Sequence, residues 1–216
     1  YSGLTTISST GKILINHNNA LGATDSGTQL NGSAAPYSCL EIGNGITLTN
    51  EEITLISNTT SDLRSRVLVS TGNTGVYTGN IVLSGNGTNL IEAVGNLTLN
   101  GTISGSCNSL QIRGDIAANT GTLNSTVSIG STNVTKTHAN TWTINSSANT
   151  WGSTTITNGT LKLGSTDVIP NTSAVTISSG AVLDMVTYSE TVGSIAGDGT
   201  IDAVSGGGTP ALTCGE

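Results

Sequence analysis

The apolar residues of this chain come in short bursts in which hydrophobic and polar side chains alternate. Typical bursts are Ile13-Leu14-Ile15, Ile53-Thr54-Leu55, Leu97-Thr98-Leu99 and Leu161-Lys162-Leu163. Each burst is closed by Gly, Asn or Ser, so the hydrophobic period is two and turn-forming residues mark the boundaries. The pattern predicts an all-β protein made of short strands and many turns.

Composition excludes the main alternatives to a β fold. Glycine supplies 29 of 216 residues, but there are only three prolines, and the glycines do not fall at every third position, so the chain is not collagen-like. Charged residues make up 9% of the chain, too few for the solvated faces of a helical bundle.

Strand length and core composition favour a stacked coil over a β-sandwich. Sandwich strands run about five to six residues and their cores contain aromatic residues, whereas this chain has 3% aromatic residues and no Phe. In a parallel β-helix, like aliphatic residues stack in ladders along the axis. With roughly 20–25 residues per turn, the chain would make about nine turns, and strands ~4.8 Å apart would give a rod about 40 Å tall.

An internal repeat supports the solenoid prediction. Residues 40–48 (LEIGNGITL) superpose on 175–183 (VTISSGAVL), and Thr5-Thr6-Ile7 matches Thr154-Thr155-Ile156. Gly11-Lys12-Ile13-Leu14-Ile15 likewise matches Gly159-Thr160-Leu161-Lys162-Leu163. Two related stretches, about 1–56 and 150–203, therefore flank a divergent middle, 57–149. We predict a single solenoid domain over 1–216 that is a segment of a longer repetitive protein.

The second stretch resembles the autotransporter-associated β-strand repeat of bacterial passenger domains. The resemblance rests on segments 149–156 (NTWGSTTI), 158–164 (NGTLKLG), 179–184 (SGAVLD) and 193–201 (GSIAGDGTI), and segments 1–7 and 18–22 look like the same unit. It covers a little over half of the chain. It implies a right-handed β-solenoid exposed outside the cell, in a family whose members mostly form stalks or adhesive scaffolds and whose repeat carries no catalytic residues.

The two ends of the chain suggest a junction. Residues 212–216 (LTCGE) read like 144–148 (INSSA), and Tyr1 takes the place of Trp151, so end joined to start almost regenerates the motif. One interpretation is a head-to-tail rod built by strand addition; the other is a longer solenoid cut at loops. The candidate junction residues are Tyr1, Ser2, Gly3, Leu212, Cys214 and Glu216.

The three cysteines, Cys39, Cys107 and Cys214, are widely spaced and form no CxxC or Cys/His cluster. They therefore predict no metal site. Two interpretations remain open: free thiols, or one disulfide within or between chains.

Acidic residues indicate no enzyme. Glu51-Glu52 is the only adjacent pair, and neighbours on a strand point to opposite faces. The segment Asp198-Gly199-Thr200-Ile201-Asp202 lacks the further carboxylates of a calcium loop. We therefore expect no catalytic residues, no cofactor and no metal, and a polysaccharide-degrading β-helix enzyme is the last-ranked alternative.

Net charge limits the partners. The formal charge is −7 with no basic patch, so neither nucleic acid nor an anionic membrane surface is an expected partner. The chain has no apolar run of 18 residues or more, so membrane insertion is not expected.

These observations predict a structural or adhesive module of a secreted fibre or stalk on a bacterial cell surface, with other copies of itself as the main partner. The alternative is a binding module. Surface glycans would need exposed aromatic rings, for which the candidates are Tyr37, Tyr77, Trp142, Trp151 and Tyr188. Ice binding would need recurring Thr-x-Thr triplets, but Thr141-Trp142-Thr143 does not recur at a fixed spacing.

Overall fold

A computed structural model describes residues 2–8, 10–22, 26–32, 38–58, 65–70 and 74–215, the segment 65–70 by its backbone only. Within these ranges every regular element is a β-strand, and no helix is present that could span a membrane. In chain order the strands are β1 (Thr5–Ser8), β2 (Lys12–Ile15), β3 (Thr28–Gly32), β4 (Cys39–Ile42), β5 (Ile46–Leu48), β6 (Ile53–Ser57), β7 (Ser65–Ser70), β8 (Thr74–Tyr77), β9 (Ile81–Ser84), β10 (Thr88–Glu92), β11 (Asn96–Leu99), β12 (Ile103–Gly105), β13 (Ser109–Arg113), β14 (Thr120–Leu123), β15 (Val127–Ser128), β16 (Asn133–Thr137), β17 (Thr141–Ile144), β18 (Thr154–Ile156), β19 (Thr160–Leu163), β20 (Ala174–Ile177), β21 (Val182–Asp184), β22 (Glu190–Val192), β23 (Ser194–Ala196), β24 (Thr200–Asp202) and β25 (Leu212–Cys214).

The strands stack in parallel on three faces, and most turns of the chain contribute one strand to each face. Face A is the sheet β1-β3-β6-β9-β12-β15, face B is β2-β4-β7-β10-β13-β16-β18-β20-β23, and face C is β5-β8-β11-β14-β17-β19-β21-β24. The prediction of an all-β parallel β-helix is confirmed. The stack makes about eight turns, close to the nine that the sequence predicts.

Turn length varies because the corners absorb extra residues. The pairing of Ile53 with Ile81 spans 28 residues, whereas the pairing of Val182 with Thr200 spans 18. The strands remain paired despite this variation, and the register shifts by one residue where β7 pairs with β4 and with β10. A repeat search at a fixed period therefore detects only part of the stack.

Columns of inward-facing aliphatic side chains form the core. On face A, Ile53, Ile81 and Ile103 are register partners and are at most 1% exposed. The strand β6 shows the expected alternation, with buried and half-buried residues taking turns along it. Each such side chain contributes roughly 1.5–3 kcal/mol through burial, and the column continues because each turn covers the one before it.

One core column on face C contains an aromatic ring and a glycine. Trp142 is fully buried and pairs with Gly121 on one side and Leu161 on the other. A Cβ atom added to Gly121 would lie 2.2 Å from the indole ring, so only glycine leaves room for Trp142. The indole Nε1 donates to the Arg113 carbonyl oxygen at 3.1 Å. A solenoid core can thus hold a large ring where the adjacent turn offers a glycine.

Face A is interrupted after β15, and two buried polar side chains join the turns that follow. The Asn149 side chain accepts from the Val127 amide at 2.8 Å and donates to the Val168 carbonyl at 2.8 Å. The Val168 amide donates to Glu190 at 3.0 Å, and the Glu190 amide donates to the Ala211 carbonyl at 2.9 Å. The pair β22–β25 therefore continues face A on the last turns.

The internal repeats map onto the faces in two ways. Segments 40–48 and 175–183 place their strands on equivalent faces, β4 and β20 on face B, β5 and β21 on face C. The second match is shifted by one face: β1 and β2 lie on faces A and B, whereas the matching β18 and β19 lie on faces B and C. Similar sequences in this chain can therefore occupy different faces.

The substitution Gly121→Ala should lower the free energy of unfolding by about 1–3 kcal/mol, because the new methyl group overlaps the Trp142 ring. The double variant Gly121→Ala/Trp142→Leu should lose less than the sum of the single variants, as urea unfolding would measure. Gly3→Ala is the control, since a Cβ there meets no atom within 4 Å. Strict additivity would contradict the proposed overlap.

Candidate functional site: the two ends of the solenoid

The predicted junction residues lie at opposite ends of the rod. Ser2 and Gly3 are exposed before β1, whereas Leu212 and Cys214 lie on β25, the last strand. Eight turns ~4.8 Å apart separate the two groups by roughly 40 Å. The structure therefore does not bring them together within one chain. Tyr1 and Glu216 lie outside the described residues.

The C-terminal end exposes apolar side chains that belong to core columns. β23 and β24 are the outermost strands of faces B and C. Ile195 on β23 and Ile201 on β24 are only partly buried, with Ile201 36% exposed. Their partners one turn earlier, Val175 and Leu183, are at most 1% exposed. Leu212 on β25 is also only partly buried. This end would therefore gain apolar burial if a further turn covered it.

The N-terminal end has a different surface. β1 and β2 are the outermost strands of faces A and B. Ile7 and Ile15 are buried on these strands, but Leu4 is 52% exposed and Leu14 is 47% exposed. Because the two ends differ, a contact between them would be head-to-tail, the type of contact that generates rings or filaments.

The two ends differ in charge. Residues 186–216 contain no lysine or arginine and four acids, Glu190, Asp198, Asp202 and Glu216. Residues 1–22 contain no acidic residue, and their one lysine, Lys12, forms an ion pair with Glu41 at 2.5 Å. The negative charge of the C-terminal end disfavours contact between two C-terminal ends.

Glu190 is a buried carboxylate at the base of β25. It is 1% exposed and accepts hydrogen bonds from the amides of Val168 at 3.0 Å and Ile169 at 3.2 Å. Burial raises the pKa of Glu190 to about 7, although these amides act in the opposite direction. The last turn is therefore connected to the stack through a residue, Glu190, whose carboxyl group has a pKa close to neutral pH.

A second polar cluster lies at the corner between faces B and C. Lys136 occupies an inward position between Ile112 and Ile156 and is fully buried. Its Nζ donates to the carbonyl oxygens of Thr137 at 2.9 Å, His138 at 2.7 Å and Asn158 at 3.0 Å. Burial lowers the pKa of Lys136 to about 7. The three hydrogen bonds to backbone oxygens connect two turns through the Lys136 amine. Because all three contacts are with the backbone, the amine is not placed to attack a substrate.

The remaining charged groups of this corner form pairs. Arg113 Nε lies 3.2 Å from Glu92 Oε1, and both side chains are at most 10% exposed. His138 Nε2 lies 3.4 Å from Asp115 Oδ1, and burial together with Arg113 lowers the pKa of His138. Across the described part of the chain, no three His, Cys, Asp or Glu side chains are grouped as metal ligands.

None of the three cysteines is disulfide-bonded in the structure. Cys39 is buried on β4, Cys107 is half-buried just before β13, and Cys214 is exposed on β25. β7 and β10 lie between β4 and β13 on face B, a separation of about 14 Å, whereas disulfides need Cα atoms closer than about 7 Å. A disulfide between chains through Cys214 stays a prediction.

Most of the aromatic residues considered for glycan binding are buried. Tyr77, Trp142 and Trp151 are at most 3% exposed, so they cannot stack against a sugar ring. Tyr188 is partly buried against the core, and Tyr37 lies outside the described residues. The expectation of a glycan site built on these rings is therefore wrong for three of the five candidates.

Face C carries a threonine array that the sequence spacing conceals. Thr120-Gly121-Thr122 on β14 pairs residue by residue with Thr141-Trp142-Thr143 on β17. Two outward columns result, Thr120, Thr141 and Thr160 in one and Thr98, Thr122 and Thr143 in the other. The sequence interpretation that the triplets do not recur is thus incomplete, because unequal turns place them side by side. A cavity of about 300 Å³ borders the array near Lys162 and Val204.

Comparison with known proteins gives no match: no family model, no curated protein and no solved structure matches this chain.

The stability of the last turn should depend on pH through Glu190. Its folded pKa of about 7 lies above the unfolded value of 4.5, so the folded state binds the proton more tightly. Stability should therefore fall by about 1–3 kcal/mol as pH rises from about 4.5 to about 7. Urea unfolding at several pH values would measure this loss. Glu190→Gln should flatten this dependence, whereas Asp198→Asn, at an exposed acid, should leave it in place. An equal slope in the wild type and Glu190→Gln would contradict the assignment.

Proposed function

We propose that this chain is a structural module of an extracellular fibre that lengthens by end-to-end stacking of solenoid turns. The observation that carries the proposal is the uncovered core edge at the C-terminal end, where Ile195, Ile201 and Leu212 are partly exposed. The excess of acids at the C-terminal end supports the same arrangement, because it disfavours contact between two C-terminal ends.

The outermost strands of faces B and C at the C-terminal end contain neither lysine nor proline. Edge strands of soluble proteins are commonly blocked by lysine, proline or a bulge. β23 has the sequence Ser-Ile-Ala and β24 has Thr-Ile-Asp, without lysine or proline. Addition of a strand would satisfy their outward backbone groups and cover their apolar side chains, the two contributions that already join neighbouring turns inside the solenoid.

The function of such a module would be mechanical. Continuous ladders on faces B and C, together with the interrupted ladder on face A, would stiffen the rod, and hydroxyl and amide side chains would keep its sides hydrated. The extracellular and adhesive parts of the proposal rest on the resemblance of segments 149–156, 158–164 and 193–201 to passenger-domain repeats.

Ile201→Lys should weaken end-to-end association by about tenfold or more, because a charge would enter the apolar column at the junction. The chain should still fold, since Ile201 is already 36% exposed. Sedimentation velocity across a concentration series, with electron microscopy of the concentrated sample, would measure the effect. Ile116→Lys is the matched control, since Ile116 is 50% exposed in the loop between β13 and β14. A wild-type chain that stays monomeric at high concentration would overturn the proposal.

A second candidate function is ice binding through face C. The paired triplets Thr120-Gly121-Thr122 and Thr141-Trp142-Thr143 favour it, because they present hydroxyl and methyl groups in two straight columns. Strands ~4.8 Å apart set the vertical spacing of these groups, and alternate residues along each strand set the horizontal spacing at about 6.6 Å. A regular array of this kind suits a partner that is itself a lattice.

If face C binds ice, the wild-type protein should produce thermal hysteresis, a gap between the melting and freezing points of ice. Thr122→Tyr and Thr143→Tyr should each abolish it, because an aromatic ring would interrupt the threonine array. Thr54→Tyr, at an outward position on face A, should not. Nanolitre osmometry would measure this difference. The absence of any such difference for the wild type would exclude this candidate function.

A further inference from the structure

We propose that successive copies stack with a rotation of one face, so that β1 of one copy pairs with β23 of the copy before it, and β2 pairs with β24. The partner is a second copy of this chain, and the inference rests on the proposed end-to-end assembly.

The order of strands at the C-terminal end leads to this rotation. In the described chain, β23 lies on face B and β24 on face C, and β22, in a separate two-stranded sheet, lies in line with face A through the hydrogen bonds of Asn149 and Glu190. β25 then lies above β22, because the two strands are parallel register partners. Face A has therefore already gained its next strand, and the next vacant position along the spiral is above β23 on face B.

An unrotated junction would leave this position empty. If β1 were placed on β25, face A of one copy would continue face A of the other. The turn that begins with β25 would then have no strand on faces B and C, and Ile195 and Ile201 would remain uncovered. The outward backbone groups of β23 and β24 would also lack strand partners inside a closed contact, which is costly. The rotated junction fills both positions.

The sequence of the first turn fits faces B and C. Thr5-Thr6-Ile7 on β1 matches Thr154-Thr155-Ile156 on β18, which lies on face B. The strand β2 likewise matches β19, which lies on face C. The strands β18 and β19, which β1 and β2 resemble, thus already occupy faces B and C in succession. These are the faces that the rotated junction assigns to β1 and β2.

The same match gives the register of the junction on face B. Thr154 pairs with Val175, and Val175 pairs with Ile195. Continuing this column places Thr5 opposite Ile195 and Thr6 opposite Ala196.

On face C, Leu161 pairs with Leu183, which pairs with Ile201. Continuing that column through the match of β2 with β19 places Ile13 over Ile201. Ile13 is itself only partly buried against the core. Two half-exposed aliphatic side chains would thus cover each other in line with an existing apolar column.

Paired cysteines separate the two junctions. In a Cys107→Ser/Cys214→Ser background, which leaves only the buried Cys39, Thr6→Cys/Ala196→Cys places thiols that face each other only in the rotated junction. Thr6→Cys/Thr213→Cys is the matched control, because Thr6 would face β25 only without rotation. All three positions are exposed, so the chain should fold. A short bis-maleimide should convert the first variant into a ladder of covalent oligomers on a denaturing gel and leave the second as monomer. Each variant with only one introduced cysteine should give at most dimers.

The outcomes distinguish this inference from the proposed function. Oligomers in sedimentation with cross-linking of the Thr6/Thr213 pair, or of neither pair, would overturn the rotation and leave end-to-end assembly intact. Monomers at all concentrations would overturn both.

Discussion

The register between adjacent parallel strands is the constraint on which the rest of this structure depends. A strand on one turn can satisfy its backbone only if the next turn lies directly over it, and the inward side chains of paired residues must fill the core together without overlap. The columns through Ile53, Ile81 and Ile103, and through Trp142 and Leu161, follow from this requirement. Extra residues are accommodated at the corners, where no such pairing is required.

Corners create backbone groups that no strand satisfies, and buried polar side chains serve them. Lys136 supplies a donor for three carbonyl oxygens, whereas Glu190 supplies acceptors for two amides. Asn149 does both where face A is interrupted. Each of these side chains loses contact with water and gains hydrogen bonds between turns. The loss of water lowers the pKa of Lys136 and raises the pKa of Glu190, so both values lie near neutral pH.

Alternation in segments such as Ile53-Thr54-Leu55 was sufficient to predict strands, an inward face and a stacked fold, because that pattern is local. The partner of each strand is not local, since turns of 18 to 29 residues separate paired strands. The pairing of Gly121 with Trp142 and the threonine array therefore could not be derived from the sequence. The burial of Lys136 could have been predicted from its inward position in the alternation Val134-Thr135-Lys136. No comparable sequence pattern indicates the exposed core edge at the C-terminal end.

The first and last described strands lie on the same side of the solenoid, because β1 belongs to face A and β25 to the two-stranded sheet in line with it. The described residues thus make a whole number of turns plus one additional side. In a filament built from such subunits, each copy would be turned by a third of a revolution relative to its neighbour. A feature confined to one side of the monomer, such as the threonine array of face C, would then follow a helical path around the filament and return to the same side every third copy.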